Sequence, residues 1–283
     1  MNRIAFSLAL LLAPAAPHAL AHDHAAHAGH AAQDAQAALS LDQALKGDWR
    51  TPDFAKRDAW RNPAQTLEFF GLAPEQTVIE ITPGGGWYSE ILAPYLQARG
   101  RYVAAVVDPA AVSDRARDYQ QRARDSLQGK FAAAPAQYGK AGVVAFDPKA
   151  PSFGPAGSAD LVLTFRNVHN WRANGQAEGM FKGFFDVLKP GGVLGVVEHR
   201  ANADVPADDR SGYVGEQQVI ELAQAAGFRL AGKSEVNANP RDSKDHPNGV
   251  WTLPPTNNHP EADRGKYQAI GESDRMTLKF VKP

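Results

Sequence analysis

The sequence predicts an α/β protein built on a mostly parallel sheet of seven strands, with helices on both faces and an antiparallel last strand. Short runs rich in β-branched residues alternate with helical patterns along most of the chain, which is the order that βαβ units produce. Most of these runs are apolar throughout, as expected for strands covered on both faces. No helical pattern separates the sixth run from the seventh, so we expect those two strands to be antiparallel neighbours.

The elements can be placed in chain order from turn residues and apolar periodicity. Pro63 and Gly71 bound a first helix, because Pro is favoured at the first helical position and Gly after the last. The strands are predicted at residues 77–81, 102–107, 142–146, 159–165, 193–199, 229–236 and 275–283. The helices that cover the sheet are predicted at residues 87–100, 113–128, 175–190 and 216–228. The segment 236–268 is long and rich in Asn, Pro and Asp, and we predict that it forms a lid at the ligand edge of the sheet.

Three regions are predicted along the chain: a secretory signal peptide at 1–21, a flexible His- and Ala-rich tail at 22–38, and one folded domain at 39–283. The first region has a positive residue, Arg3, then an apolar run at 4–16 and small residues after it. This order is typical of a secretory signal, so we expect a periplasmic or secreted protein. The tail is low in complexity and has no apolar period, as flexible segments do.

The composition is that of an ordinary globular protein and gives no sign of a nucleic-acid or membrane partner. Of the 283 residues, 43% are hydrophobic and 22% are charged, and the formal net charge is −1. This balance gives no electrostatic reason to expect nucleic acid or an anionic membrane as a partner. No internal run approaches the roughly 20 apolar residues of a membrane helix. We therefore expect no membrane association after signal cleavage, and the oligomeric state stays open.

A glycine-rich turn follows the first predicted strand, in the stretch ITPGGGWYSEIL at 81–92. Each Gly costs about 1 kcal/mol in a helix relative to Ala, so three in a row at a helix entrance need a reason. The reason is either a backbone at positive φ or a ligand that approaches closely. In a parallel sheet, the turn after the first strand is where nucleotide-type cofactors bind. Gly84 and Gly86 are therefore candidate cofactor-binding residues.

Two acidic residues follow later strands at positions where such a cofactor is contacted. Asp108 comes directly after the second strand, 22 residues beyond Gly86, and an acid there accepts hydrogen bonds from ribose hydroxyls. Asp147 follows the third strand, within reach of an adenine ring. Phe146, directly before it, is expected to stack on that ring.

Over residues 77 to 228 and the last strand, the chain resembles the class I S-adenosylmethionine-dependent methyltransferases. The resemblance rests on VIEITPGGGWYSEIL, VVDP, AFDP, LKPGGVLGVVEHR and AAGFRL. The phrases TFRNVHNW and GVWTLPP are more narrowly similar to a set of exported bacterial predicted methyltransferases. The resemblance implies a Rossmann-like fold, S-adenosyl-L-methionine as the cofactor and transferase activity.

The first motif of that family is an acid followed by three glycines at alternate positions, and here it begins at Glu80. Gly84 and Gly86 match it, whereas Thr82 replaces the first glycine and Pro83 intrudes. Proline fixes φ near −65° and lacks an N–H, so this turn is stiffer and has one donor fewer. The resemblance implies that Glu80, Thr82, Gly84 and Gly86 contact the cofactor. A NAD-binding fold is the rival, but these glycines do not complete its G-x-G-x-x-G pattern.

The loop after the fourth strand is expected to face the substrate, because ligands sit outside the carboxyl ends of parallel strands. Its sequence, RNVHNW, places Asn167 as a cofactor contact and Arg166 and Trp171 as substrate contacts. His169 is a candidate general base, since methyl transfer needs an aligned nucleophile and sometimes the removal of its proton. A packing role is an equal alternative for His169.

Further candidates come from the fifth strand and from the segments after it. Glu198 ends that strand and is either a second base or an ion-pair partner of Arg200. Tyr213, before the next helix, and Trp251 in the lid are candidate substrate contacts. The Asn-Pro-Pro-Tyr sequence of amino-group nucleic-acid methyltransferases is absent, which favours a small-molecule acceptor.

These features predict methyl transfer from S-adenosylmethionine to a small molecule in an exported protein. The alternative is a periplasmic protein that uses the same fold to bind a small ligand or a metal without turnover. A separate prediction concerns the tail: cleavage after residue 21 would leave His22 first and His24 third. A free amine, two amides and a third-position histidine form the planar nitrogen set that suits Cu(II) or Ni(II). A solvated tail without a metal is the alternative.

Overall fold

The computed structural model describes residues 38–283. The predicted signal peptide, the His-rich tail up to residue 37 and the candidate metal ligands His22 and His24 lie outside the described residues. Within the described range, no helix has the length and apolar character that crossing a membrane requires.

Seven strands form one sheet in the order β3-β2-β1-β4-β5-β7-β6. The strands are β1 (Thr77–Ile81), β2 (Arg101–Val107), β3 (Gly142–Phe146), β4 (Ala159–Phe165), β5 (Leu188–His199), β6 (Arg229–Ser234) and β7 (Arg275–Val281). Strands β1 to β5 pair in parallel, and β7 lies antiparallel between β5 and β6. The predicted architecture is confirmed, including the antiparallel last strand.

Eleven α-helices accompany the sheet within residues 38–283. They are α1 (Leu41–Leu45), α2 (Pro52–Ala55), α3 (Asp58–Arg61), α4 (Pro63–Phe70), α5 (Ser89–Leu96), α6 (Asp114–Ala133), α7 (Pro135–Tyr138), α8 (Val168–Ala173), α9 (Ala177–Val187), α10 (Glu216–Ala225) and α11 (Arg264–Ile270). The first predicted helix corresponds to α4, which begins at Pro63 and is followed by Gly71 in the left-handed conformation.

Apolar clusters cover both faces of the sheet. Val78 of β1 belongs to one cluster, with residues of α4, α5 and α6. Ile79, the next residue, belongs to the other cluster, with residues of α9 and α10. Neighbouring side chains of β1 thus enter opposite clusters, which explains why the parallel strands are continuous apolar runs in the sequence.

The start of β5 differs from the prediction. Helix α9 ends at Val187, and Leu188 is already extended at φ −73° and ψ 143°, so β5 includes the LKPGG segment. Lys189 precedes Pro190, and the residue before a proline is biased away from helical backbone. The helix that was expected to reach Pro190 therefore ends before it.

The segment 236–268, which we call the lid, connects β6 to β7 and contains more regular structure than its composition indicates. It includes a 3-10 turn at Gly249–Thr252 and the start of α11. Asp242 in the lid is buried and accepts a hydrogen bond of 2.7 Å from the backbone N–H of Asp274. The lid is therefore fixed to the residues directly before β7.

Candidate functional site

A cavity of about 880 Å³ opens at the carboxyl ends of β1, β2 and β4. Its walls come from the glycine turn after β1, the segment after β2, the first half of α6, the loop after β4 and the α2–α3 region. A volume of this size is typical of small-molecule and cofactor sites. Because β1 lies between β2 and β4 in the sheet, the glycine turn stands at the centre of the cavity floor.

The glycine turn contains three residues at positive φ: Thr82 at 51°, Gly84 at 59° and Gly86 at 83°. Gly84 lines the cavity, and a Cβ built on it would have no atom within 4 Å. Gly86 does not line the cavity, and a Cβ on it would lie 3.0 Å from the Leu127 side chain. The two glycines therefore serve different needs. Gly84 leaves backbone open to a ligand, and Gly86 permits the turn and its close packing.

Thr82 also lines the cavity, and its side chain lacks a partner. The Oγ1 atom is buried and has no hydrogen-bond partner within residues 38–283. A buried hydroxyl without a partner costs about 1–3 kcal/mol. A polar atom of a bound ligand is the expected partner for such a group.

Glu80 is the carboxylate of the cavity lining, and it is held from behind by two hydroxyl groups. Its Oε2 accepts hydrogen bonds from Tyr102 Oη at 2.6 Å and from Ser89 Oγ at 3.2 Å. Burial raises the pKa of Glu80 to about 7, against the opposing effect of these two hydrogen bonds. The group therefore changes charge near neutral pH.

The two predicted acids after β2 and β3 lie beside the cavity, but neither is part of its lining. Asp108 Oδ1 accepts a hydrogen bond of 2.9 Å from the backbone N–H of Ala110. Asp147 Oδ1 accepts one of 2.8 Å from the N–H of Lys149. Each uses one carboxylate oxygen to hold its own turn, and the second oxygen of each has no hydrogen bond within the described chain.

Phe146 is not placed where the sequence analysis expected it. Its ring is 2% exposed and belongs to the core. The Phe153 ring packs against it with a centroid distance of 5.0 Å. As the last residue of β3, Phe146 points away from the cavity edge into the face covered by α9. A ring enclosed in this way has no free face for an adenine, so we exclude it from the cofactor site.

Arg166, Asn167 and Trp171 line the cavity from the loop after β4. Asn167 Nδ2 donates to the backbone carbonyl of Ile81 at 3.0 Å and to Thr164 Oγ1 at 3.2 Å. These bonds connect the loop to the end of β1. Arg166 has a φ of 61°, a left-handed conformation that is rare for residues with a side chain and concentrates at ligand sites.

His169 and Glu198 are brought together, but neither lines the cavity. Glu198 is fully buried. Its oxygens accept hydrogen bonds from His169 Nδ1 at 3.1 Å, from the N–H of Val168 at 2.6 Å and from the N–H of His199 at 2.8 Å. The carboxylate thus caps the start of α8 and positions the histidine. Its geometry is that of a structural anchor and not of a base facing a substrate.

The expected ion pair between Glu198 and Arg200 is not formed. Arg200 instead pairs with Glu235 at 2.7 Å and with Asp274 at 3.1 Å. Glu198 is buried and its oxygens accept hydrogen bonds from nearby N–H groups, whereas Arg200 lies past the end of β5, within reach of Glu235 and Asp274.

His169, Glu198 and His199 form a cluster whose ligand-type atoms all lie within 4.8 Å of one another. The ring centroids of the two histidines are 5.5 Å apart. His199 Nδ1 lies 2.5 Å from Ser273 Oγ. Since the oxygens of Glu198 are already used by several N–H donors, hydrogen bonds account for this arrangement.

The lid reaches the loop after β4, but it does not enclose the cavity. The Trp251 ring lies 6.0 Å from the His169 ring, so lid and loop meet at the same sheet edge, as expected. Tyr213 Oη donates to the carboxylate of Asp242 at 2.9 Å and is buried. Among the described residues, none from the lid belongs to the cavity lining. Tyr213 and Trp251 therefore lie in the lid interface, outside the cavity.

The sequence analysis did not identify two arginines that line the cavity from the α2–α3 region. Arg57 Nε donates to Glu272 Oε1 at 2.7 Å, and Arg61 Nε donates to Glu272 Oε2 at 3.2 Å. The Arg61 guanidinium also lies 4.8 Å from the centroid of the Trp87 ring. The four-residue spacing of Arg57 and Arg61 was the signal in the sequence that could have paired them, because residues four apart share one face of a helix. Glu272 lies more than 200 positions away in the sequence.

Glu272 is the buried carboxylate that holds these arginines. Burial alone would raise its pKa, but the charges of Arg61, Arg275 and Arg57 lower it to about 2. Arg275 Nη1 donates to Glu272 Oε2 at 3.1 Å. The group is therefore ionised throughout the physiological pH range.

Comparison with known proteins identifies the fold. No protein-family model and no curated protein matches the chain. Among solved structures, a S-adenosylmethionine-dependent methyltransferase from Aquifex aeolicus is 15% identical, with a TM-score of 0.51, over 87% of this chain and 100% of that one. The chain has the Rossmann-like methyltransferase fold. The fold also occurs in the [4+2]-cyclase SpnF, which is 16% identical, with a TM-score of 0.55, over 86% of this chain and 92% of that one. At these identities the likeness concerns the fold, and a fold can host different reactions.

Proposed function

We propose that the protein transfers a methyl group from S-adenosylmethionine to a small-molecule acceptor. The observation that carries this proposal is the cavity at the glycine turn of a methyltransferase fold, where Gly84 leaves its backbone open at positive φ. S-adenosylmethionine, when bound, supplies a methyl group on a sulfonium, which is a good leaving group. The acceptor assignment is supported by the cavity volume of about 880 Å³, which suits a cofactor with a small second molecule.

The residues present fit this cofactor in three respects. Thr82 offers a buried hydroxyl without a partner. Gly84 offers backbone without side-chain obstruction. Asp108 keeps one carboxylate oxygen free of hydrogen bonds in the described chain, as a ribose contact requires, while its other oxygen holds the turn.

The chain contributes mainly by positioning. Within residues 38–283, no histidine lines the cavity and Glu80 is the lining carboxylate. The His169–Glu198 pair is anchored outside the cavity, so we do not assign proton transfer to it. Alignment of the acceptor with the methyl group is the role that the cavity walls support, and alignment alone accounts for large rate effects.

The second candidate is ligand binding without turnover. Pro83 removes one backbone donor from the turn, and the cavity wall contains three arginines, Arg57, Arg61 and Arg166. Both features are compatible with a ligand other than a sulfonium. The fold also occurs in a [4+2]-cyclase, so the fold alone does not require methyl transfer.

Two proposals concern residues outside 38–283 and rest on the sequence alone. The signal-like segment at 1–21 supports export to the periplasm or the medium. His22 and His24 support a Cu(II) or Ni(II) site at a mature amino terminus. Adding one residue before His22 should abolish the visible band of a planar nitrogen site, and an unchanged spectrum would contradict this site.

The function is tested by isothermal titration with S-adenosylmethionine, followed by a methyl-transfer assay on candidate acceptors. Asp108→Ala should weaken binding by about 1.5–3 kcal/mol, because it removes a charged hydrogen-bond acceptor. Asp118→Ala, an exposed acid on α6, is the matched control and should bind normally. Binding without transfer would favour the second candidate, and an absence of binding by the native protein would contradict the proposed cofactor.

A further inference from the structure

The cavity wall beside the loop after β4 is formed by positively charged side chains. Arg57 at the start of α3, Arg61 at its end and Arg166 after β4 all line the same cavity. We call these three residues the arginine cluster. They come from segments about a hundred residues apart in the chain, and the fold brings their side chains together on one wall.

The charge of the arginine cluster is not balanced by the protein. Glu272 is the carboxylate that Arg57 and Arg61 share, and it also pairs with Arg275. Glu80 lines the cavity but forms no ion pair with any member of the cluster in the described chain. Three guanidinium groups thus share one ionised carboxylate, and Arg166 has no ion-pair partner in the described chain, so positive charge is in excess at the cavity wall.

Part of the hydrogen-bonding capacity of the cluster is unused. The Arg166 guanidinium has no hydrogen bond or ion pair within the described residues. Arg57 Nη2 is buried and has no partner there either. Arg166 is half-buried, and withdrawing a cation from water without a paired anion costs free energy. The left-handed backbone of Arg166, with its φ of 61°, adds a local strain that a bound group can offset.

The arginines also repel one another. Burial and the charge of Arg166 both lower the pKa of Arg61. Burial and the charge of Arg275 lower the pKa of Arg166 to about 10. A bound anion would relieve the desolvation and the repulsion together.

We propose that the arginine cluster binds an oxyanion, a carboxylate or phosphate group, on the molecule that occupies the cavity. The planar fork of a guanidinium matches two oxygens of such a group at once, and three forks suit a group with several oxygens. The identification of this molecule as the methyl acceptor rests on the proposed function. The carboxylate of the methionine part of the donor has the same chemistry and is the other source of such a group.

The test is isothermal titration of inorganic phosphate into the full chain at constant ionic strength. Arg166→Gln should weaken phosphate binding at least tenfold, because it removes a charge-assisted hydrogen bond. Arg122→Gln removes one positive charge from an exposed residue of α6 that lies outside the cavity lining, and it should change binding less than twofold. No phosphate binding by the native protein, or equal losses in the two variants, would overturn the proposal.

A stability measurement guards against misfolding of the variant. In chloride without phosphate, Arg166→Gln should unfold at the same temperature as the native protein or higher, because it removes a half-buried charge that has no ion-pair partner in the described chain. Phosphate should raise the unfolding temperature of the native protein and of Arg122→Gln but not that of Arg166→Gln. A variant that is less stable in chloride and still stabilised by phosphate would overturn the assignment of Arg166.

Repeating the titration with saturating S-adenosylmethionine separates the two sources. If phosphate binds as before, the oxyanion site belongs to the acceptor. If the donor displaces phosphate, the assignment to the acceptor is overturned and the donor carboxylate occupies the site. Phosphate binding does not depend on methyl transfer. The phosphate titration can therefore be interpreted even if the protein does not transfer methyl groups.

Discussion

The cavity at the glycine turn and the cluster of His169, Glu198 and His199 lie at the same edge of the sheet, and they differ in how their polar groups are satisfied. In the cavity, Thr82 Oγ1 is buried without a partner, and the Arg166 guanidinium has none in the described chain. In the cluster, the buried oxygens of Glu198 accept hydrogen bonds from side-chain and backbone nitrogens. The first region is incomplete without a ligand, whereas the second is complete by itself.

This difference teaches that residue type is a weaker guide to function than the balance of hydrogen bonds. A histidine beside a glutamate is a familiar acid–base pair, and here both belong to the scaffold that fixes α8. Arginines are common surface residues, and here three of them line a cavity, where Arg166 has no ion-pair partner in the described chain. Because an unpaired buried group costs free energy, the cavity is the region where we expect a ligand.

The largest expected effect comes from removing the buried carboxylate of the cluster of His169, Glu198 and His199. Glu198→Ala should lower the free energy of unfolding by about 3–5 kcal/mol, because it leaves several buried N–H donors without an acceptor. Urea unfolding followed by circular dichroism measures this loss. Glu221→Ala, an exposed glutamate on α10, is the control and should stay within about 0.5 kcal/mol of native. A stable Glu198→Ala protein would mean that the cluster is not a structural anchor.

The second expected effect is a pH dependence that comes from Glu80. Its pKa is about 7 in the folded protein, because of burial, and 4.5 is the reference value for the unfolded chain. Between these values the folded state holds a proton that the unfolded state has lost, so the stability contributed by this group falls as pH rises from 4.5 to 7. The full difference is roughly 3 kcal/mol.

Glu80→Gln removes this titration while it keeps an acceptor for Tyr102. Urea unfolding at a series of pH values measures the effect. From pH 4.5 to 7 the free energy of unfolding of the variant should rise relative to that of the native protein. Above pH 7 the difference between the two should stay constant. Glu221→Gln should follow the native curve throughout. A constant difference between Glu80→Gln and native protein at all pH values would show that the pKa of Glu80 is not raised.

The smallest expected effect comes from removing the unpaired hydroxyl of Thr82 in the cavity. Thr82→Val keeps a β-branched side chain but removes the unpaired hydroxyl, so it should leave the unfolding temperature unchanged or raise it. It should also weaken S-adenosylmethionine binding about tenfold, the loss of one hydrogen bond. Thr256→Val, exposed in the lid, should leave both quantities unchanged. A destabilised Thr82→Val with normal affinity would mean that the hydroxyl is satisfied within the protein.

The fold was predictable because local patterns determine it. The apolar run at β1 and the glycines after it are visible in the sequence, and they specify a buried parallel strand that ends in a ligand turn. The absence of a helical pattern between β6 and β7 was enough to predict their antiparallel pairing. The end of α9 differs from the prediction because the residue before Pro190 is biased away from helical backbone.

The site was only partly predictable, because its lining depends on contacts between distant segments. Arg57 and Arg61 are positioned by Glu272, and nothing local to the α2–α3 region indicates that partner. Phe146 follows a strand end, as an adenine contact would, but the direction of its ring depends on Phe153. Glu198 appeared available because two of the N–H groups that it accepts from, those of Val168 and His169, belong to α8, about 30 residues away in the sequence.

The measurement that tests the central claim most directly is a crystal structure of the protein with S-adenosylmethionine bound. The account predicts density beside Thr82 Oγ1 and the backbone of Gly84, with the His169–Glu198 hydrogen bond unchanged. Density between His169 and Trp251, with Thr82 Oγ1 still lacking a partner, would contradict the claim that the unsatisfied groups mark the ligand site.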